Sequence, residues 1–414
     1  MSNCRVILML FFTSTYSFHV LGNSIEVCKS CQFTTIKQAL GHANAHDTIR
    51  VYKGIYEEYN LEVNKPMVML GINVPTIDGK EQGTIINITA DSVVIDGFQI
   101  ENVGLSYTKD YAAIHVYKSR HFNIKNNILK KVFFGLLIEK SHDGQVRNNE
   151  VSSDAKEEFN SGNGIHLWHC SNIEVTGNTL FRLRDGIYFE FVSESTISHN
   201  VSYNNVRYGL HFMFSNNDNY YDNEFHDNGA GVAVMFSKFI NMKRNKFYQN
   251  WGTASFGLLL KEIYDAEIEN NIFEENTIGI HIEGSTRINY VHNQFNQNGW
   301  AVKFAGGCYA NVFYQNNFIS NSFDVSYNSK LNDNRFEENY WSSYTGYDLN
   351  KDDIGDVPYR PVKLFSYVVN RTPESIVLLR SLFIDILNFS EKVSPVFTPD
   401  NLIDDSPKMK AFND

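Results

Sequence analysis

Two methionines and a histidine carry the most specific chemistry in the chain. Met213 and Met235 hold the same place in two successive copies of an internal repeat, and His211 precedes Met213 by two residues. In a β-strand that spacing puts imidazole and thioether on one face. Stacking of the repeats then brings the second thioether beside the first. Neutral sulfur and nitrogen ligands of this kind suit Cu(I). His166 and Tyr188 continue the histidine column toward the N-terminus. The alternative is that these side chains pack under a loop or against a partner, and an inverted strand phase would bury the cluster as core.

Other groups offer further chemistry. Cys28-Lys29-Ser30-Cys31 reads first as a disulfide in an exported chain, with a thiolate copper site as the second reading. Cys170 and Cys308 fall several repeats apart, too far to bridge. Asp348, Asn350 and Asp352 have the i, i+2, i+4 spacing of a calcium loop. The bidentate glutamate of such a loop is missing, so a hydrogen-bonded Asx turn is the alternative. Arg184 and Arg207 lie one repeat apart on either side of Asp185, as a turn salt bridge or a partner-docking point. Sugar chemistry is the competing class. A glycosidase needs two carboxyls about 5 to 9.5 Å apart across a cleft, whereas Asp185, Glu190 and Glu283 are scattered. Tyr188 and Trp168 could still stack on a sugar, so a polysaccharide lyase or hydrolase is the runner-up to a non-enzymatic role.

The repeat must position all of these residues. One asparagine column runs Asn127, Asn149, Asn178, Asn200, Asn223, Asn245, Asn271, Asn293, Asn316 and Asn334, at spacings of 22, 29, 22, 23, 22, 26, 22, 23 and 18. A glycine column, Gly135, Gly164, Gly186, Gly209, Gly231, Gly257 and Gly279, keeps step through the same insertions. Apolar residues alternate after each glycine, as in Leu210/Phe212 and Val232/Val234. Period-two alternation in coils of about 22 residues predicts an all-β fold, a parallel β-helix of ten or more rungs, right-handed by the crossover rule. With the first and third residues after glycine facing inward, one outward column reads His166, Tyr188, His211, Ala233, Leu259, His281. The next reads Trp168, Glu190, Met213, Met235, Lys261, Glu283. Turn geometry and rung-to-rung amide bonding account for the asparagines. The two long intervals hold insertions, Ser152 to Gly162 and Trp251 to Phe256, which leave the solenoid as loops.

The ends read as caps. Residues 33–58 predict helix, turn, strand and turn, with Thr34 or Thr35 as N-cap and Ile36, Leu40 and Ala43 as the apolar face. Met67 and Met69 read as core. Residues 373–389 predict an amphipathic helix capped by Thr372, with Ile376, Leu379, Phe383 and Ile386 on its stripe and Leu378, Leu382, Leu387 and Phe389 widening it. It either caps the solenoid or docks on a membrane partner through residues such as Phe383 and Leu387. Residues 391–414 read as a frayed tail. The division expected is 1–22 signal peptide, 23–79 N-terminal cap and first rungs, 80–345 β-helix, and 346–414 cap loop, amphipathic helix and tail. Arg5 and the apolar run Val6 to Phe12 carry the export reading. The net charge of −11 disfavours nucleic acid as a partner.

Several stretches together resemble the NosD family. They are Arg184-Asp185-Gly186-Ile187-Tyr188-Phe189-Glu190, Arg207-Tyr208-Gly209-Leu210-His211-Phe212-Met213-Phe214-Ser215 and Gly231-Val232-Ala233-Val234-Met235-Phe236-Ser237. The stretch from Asp47-Thr48-Ile49 to Gly54-Ile55-Tyr56 and the Asn339-Tyr340-Trp341 end are similar but are shared with many β-helix proteins. The resemblance covers about residues 28–390. It implies a periplasmic accessory protein, held at the membrane by its partners, that matures the copper–sulfide centre of nitrous oxide reductase. The implied partners are an ABC transporter ATPase and membrane subunit, the reductase and a copper chaperone. On that reading His211, Met213 and Met235 hold Cu(I) transiently. ATP hydrolysis belongs to the partners, since the chain lacks a glycine-rich phosphate loop.

Overall fold

The computed structural model describes residues 22–106, 108–327, 333–393 and 402–412. The expected signal segment lies outside them, Gly22 apart. The chain winds as a parallel β-solenoid of about 14 turns, each of about 23 residues. Three sheets run along it. Sheet A has 14 strands, from Ser24–Val27 to Arg335–Glu337, sheet B has 13, from Ile55–Glu57 to Tyr340–Trp341, and sheet C has 12, from Leu61–Val63 to Phe323–Ser326. Every strand pair is parallel and in register. The sheets run without a break across residue 80, so the first rungs belong to the same solenoid as the rest.

Alternation decides what is inside. Ile187, Leu210, Val232, Leu258 and Ile280 pair along sheet C and are buried. Aromatic side chains stack inside too: Phe225, Phe247, Phe273, Phe295, Phe318 and Trp341 form one column with ring centroids 4.1 to 5.6 Å apart. Met67 and Met69 are core, as expected. The glycine column exists because backbones crowd where sheet B turns into sheet C. A Cβ at Gly231 would stand 2.3 Å from the carbonyl oxygen of Gly257.

Each turn costs buried backbone polar groups, and asparagine satisfies them. The Asn223 carboxamide oxygen accepts from the Asn200 backbone N–H and side chain, both at 3.0 Å, and its own Nδ2 donates to Ile197 O at 2.9 Å and to Asn245 at 2.9 Å. This pattern repeats from Asn127 to Asn316, and its next member is Asn339. Asn334 instead accepts from Asn311 in another ladder. That corrects the column and removes its irregular last spacing. A third ladder, Asn205, Asn228, Asn250, Asn276, Asn298 and Asn321, lies five residues after the first.

At the N-terminal end, helix α1 (Ile36–His42) covers the first rungs, with Thr35 Oγ1 accepting from the Gln38 N–H at 3.2 Å. Ile36, Ala39, Leu40 and Ala43 are buried. The C-terminal end departs from expectation in two ways. Residues 402–412 are not frayed. The buried Asp404 carboxylate ends the first asparagine ladder, accepting from Asn339 N–H at 3.0 Å, Asn339 Nδ2 at 3.1 Å and Trp341 Nε1 at 3.0 Å. The expected continuous helix over 373–389 is also broken. Helix α2 (Leu364–Arg371) comes first, a 3₁₀ segment covers Pro373–Leu378, and helix α3 (Leu382–Val393) follows. The helix restarts at Ser381, whose carbonyl takes the Ile384 and Asp385 N–H groups. Thr372 makes no side-chain cap bond. Ile384 is buried against Trp300, Phe323, Phe365 and Val369, with Leu379 and Leu387 packed beside it. Phe383, Ile386 and Phe389 face away and are exposed.

Candidate functional site

The outward columns on sheet C fall where the alternation puts them. His166 pairs with Tyr188, Tyr188 with His211, His211 with Ala233, and Met213 with Met235. His211, Met213 and Met235 therefore share one patch over two adjacent rungs. His166 does not. It stands two rungs from His211, on the order of 10 Å, with Tyr188 between them. Its ring sits 5.4 Å from Phe134 and 4.6 Å from Tyr188, and its Nδ1 lies 3.2 Å from Asn163 Nδ2. Burial pushes its pKa down to about 3. It is a packed, neutral histidine outside the ligand set expected for it.

The patch is deeper than alternation alone suggests. Both insertions leave the solenoid where sheet B passes into sheet C, one before strand Ile165–Trp168 and the other before Leu258–Lys261. They bracket the strands Asp185–Glu190, Tyr208–Met213 and Ala230–Met235. Phe256 of the second insertion is buried against Ala230, Ala233 and Leu259, with Tyr208 and Met235 at the edge of that cluster. Glu158 of the first insertion acts on Arg184, Arg207 and Tyr208. His211 is left 6 % exposed, with the Tyr188 ring 5.1 Å and the Tyr208 ring 4.9 Å away. Neither of its ring nitrogens has a hydrogen-bond partner. The nearest carboxylate oxygen, Asp185 Oδ2, is 3.9 Å from Nδ1. Burial pushes its pKa down to about 4; Asp185 opposes this, and Arg207 and Arg184 add to it. At neutral pH it is an uncharged imidazole without its usual partners. Met213 and Met235 are half-buried beside it.

The arginines are structural on this face. Arg207 Nε donates to Asp185 Oδ1 at 2.8 Å, its Nη2 pairs with Oδ2, and Asp185 is fully buried. This is the turn salt bridge of the first reading. Arg184 Nε donates to Asn163 Oδ1 at 3.2 Å. With Asp185 held by Arg207, and with Glu190 and Glu283 four rungs apart on sheet C, no two of these three carboxyls pair across a cleft.

One feature of the patch escaped the sequence reading. The residue after each outward methionine is a phenylalanine in a left-handed turn, Phe214 at φ 51° and Phe236 at φ 54°, preceded by Phe191 at φ 55° and His169 at φ 51°. Bulky residues are rare in that region. Here the rings stack along the rungs at 4.6, 5.2 and 5.1 Å, and the three phenylalanines stay 41 to 43 % exposed. The sign was in the sequence as one more column, one residue past the methionines.

The other candidates resolve simply. Cys28 and Cys31 form the expected disulfide, and Cys170 and Cys308 are free and buried. The Asp348 carboxylate accepts the N–H groups of Lys351 at 2.6 Å and Asp353 at 2.9 Å, and Asp352 accepts that of Ile354 at 2.9 Å. These oxygens serve the loop's own backbone, which is the Asx-turn alternative to a calcium loop. Among the described residues no three His, Cys, Asp or Glu side chains gather as a metal site. A thioether site falls outside that description.

The model of the family described as periplasmic copper-binding protein (NosD) matches residues 148–346, which include the whole patch. A "Probable ABC transporter binding protein NosD" of Stutzerimonas stutzeri is 26% identical over 368 residues, covering 84% of both chains. Its namesake in Pseudomonas aeruginosa is 26% identical over 402 residues, covering 85% of this chain and 86% of that one. Among solved structures, the A-module of the Azotobacter vinelandii mannuronan C-5 epimerase AlgE6 superposes with a TM-score of 0.62 at 11% identity, over 72% of this chain and 91% of that one. DFA-IIIase from Arthrobacter chlorophenolicus A6, without its lid, does so at 0.56 and 13%, over 70% and 88%. At such identities the likeness concerns the solenoid alone.

Proposed function

The chain belongs to the NosD family, and from that premise we propose that it is a periplasmic accessory protein that handles Cu(I) for the copper–sulfide centre of nitrous oxide reductase. Its curated relatives are named as binding proteins of an ABC transporter. The partner set of this reading is a transporter ATPase and membrane subunit, the reductase, and a copper chaperone that supplies the metal. The chain itself catalyses nothing. It offers ligands that exchange.

The observation that supports this reading is the state of His211 beside the two thioethers. A buried imidazole normally finds hydrogen-bond partners. His211 has none, is uncharged, and shares its face with Met213 and Met235. Two thioethers and one neutral nitrogen form a soft, uncharged set that suits Cu(I) and disfavours harder ions. Absence of thiolate keeps the hold weak enough for release. The exposed side of α3, with Phe383, Ile386 and Phe389, is the surface we assign to the membrane partner. Leu387 packs inward and supports that helix rather than meeting a partner.

The reading is tested in a denitrifying strain lacking this gene. The native gene restores a reductase with the spectrum of its copper–sulfide centre. A His211→Ala/Met213→Ala double variant, exported to the same level, leaves that centre unassembled. Full restoration by the double variant would refute copper handling at this patch.

A further inference from the structure

The first turn of the solenoid carries a second group of soft atoms, seven rungs from His211 and so on the order of 34 Å away. Cys28 follows strand Ser24–Val27 and is bonded to Cys31, with Cα atoms 5.0 Å apart. The fold makes little use of that bond. The Cys31 N–H already donates to Cys28 O at 3.2 Å, and the Cys28 N–H to Phe33 O at 3.1 Å. The cap around it is held by other means: Ile25, Val27 and Ile36 are core, and Glu58 accepts the Ile36 and Lys37 N–H groups at 2.7 and 2.8 Å. A cross-link across so short a loop removes far less entropy from the unfolded chain than one joining distant segments.

The pair is instead placed for chemistry. Both cysteines are partly exposed, and Lys29 and Ser30 between them are exposed. Ser30 Oγ lies 3.4 Å from Cys28 Sγ. Cys31 lines an open depression with Glu26, His42 and Asp47. The other two cysteines show what a structural thiol looks like in this protein. Cys170 and Cys308 are buried and donate to the carbonyls of Ile138 and Ile282, and burial pushes the Cys170 thiol up to about 12. Thiols in Cys-x-x-Cys spacing ionise readily, and exposed disulfides are the exchangeable ones.

We propose that Cys28–Cys31 is a reversible redox pair whose dithiol form is a second Cu(I) site, independent of His211. A dithiol reductant supplies two electrons and two protons. The S–S bond breaks, two S–H bonds form on this chain, and the reductant becomes a disulfide. Cu(I) then displaces both protons and is held between two thiolates, with no electron transferred in that step. The disulfide form offers no thiolate and binds no copper. The redox state of the partner thus gates this site, whereas the thioether patch is open in either state. The inference takes only the identity of the metal from the proposed function.

The test uses the full mature chain, oxidised and after anaerobic treatment with excess dithiol, in Cu(I) competition against a chromogenic chelator. Thiols are counted by alkylation and mass. The reduced chain is expected to bind one more Cu(I) per chain than the oxidised chain, with a thiolate-to-copper ultraviolet band. Cys28→Ser and Cys31→Ser each lose that increment and keep the His211-dependent copper, and His211→Ala shows the reverse. A disulfide that resists dithiol in the folded protein overturns the proposal. So does a reduced wild-type chain that binds no more copper than the oxidised one, a result that needs no variant to fold and leaves the thioether site to its own test.

Discussion

On sheet A the outward side chains of neighbouring rungs meet as ion pairs; on the stretch of sheet C between the two insertions they meet as ring against ring and thioether beside thioether, with the ion pair Lys261–Glu283 only beyond it. The same turns of chain build both faces. Along sheet A and its flanking turns, Arg244 pairs with Asp222 at 2.8 Å, Arg287 with Asp265 at 2.6 Å, Lys243 with Glu269 at 2.6 Å and Arg147 with Glu174 at 2.6 Å. Opposite charges one rung apart neutralise each other, although Arg147 Nε is left without a hydrogen-bond partner. On sheet C, His211 has no hydrogen-bond partner and two methionines lie side by side. The solenoid imposes register equally on both, so the difference comes from residue choice. Where the structure needs only a solvated wall, the rungs complement one another. Where they fail to, a ligand or partner is expected.

The largest effect is expected from Asp185→Ala, which leaves the Arg207 guanidinium without its buried partner beneath the sheet C patch. It should cost about 3 kcal/mol in chemical denaturation. Next comes acid. His211 titrates near 6.5 in the unfolded chain and about 4 in the folded one. The unfolded chain therefore takes up the proton first. The stability this group contributes is intact above pH 6.5 and is lost as pH falls through 6.5 toward 4. Between about pH 7 and about pH 5 that loss is roughly 2 kcal/mol. His211→Phe should remove that share of the slope, and urea midpoints across the window measure it. Copper bound at the thioether patch should keep a flat affinity from about pH 8 to about pH 5, because neither thioether nor neutral imidazole gives up a proton. Competition titrations at several pH values would show it, and a steep slope would mean a thiolate or carboxylate ligand. The smallest effect belongs to sheet A: Arg244→Ala should change stability by less than about 1 kcal/mol, since the pair lies at the surface. A drop as large as that of Asp185→Ala would erase the contrast between the faces.

Much of this contrast was legible in the sequence. The period, the glycine column and the outward columns placed Met213 beside Met235 and His211 two residues from Met213, since a parallel solenoid leaves no freedom of register once the repeat is aligned. The ladder from Asn205 to Asn321 lies five residues after the first column and is equally legible in the repeat. Other features do not repeat and so left no periodic sign. Asp404 reaches its ladder from a polar tail 65 residues beyond Asn339. The break before Ser381 sits within a run whose apolar spacing fits one helix. The cover over Ala233 and Tyr208, which neighbour His211, depends on where Phe256 lands after its insertion, and only the folded path of that loop shows it. His166 was grouped with the ligands because it shares their column; two rungs of separation exclude it.

The central claim is that His211, Met213 and Met235 make one Cu(I) site on the outer face of sheet C. A Cu(I) competition titration of the oxidised mature chain tests it most directly, because the disulfide then contributes no thiolate. The account predicts a single site whose affinity falls at least about tenfold, or about 1.4 kcal/mol, in each of His211→Ala, Met213→Ala and Met235→Ala, and stays unchanged in Arg244→Ala. Failure of the oxidised chain to bind Cu(I), or binding that all three variants retain, would contradict it.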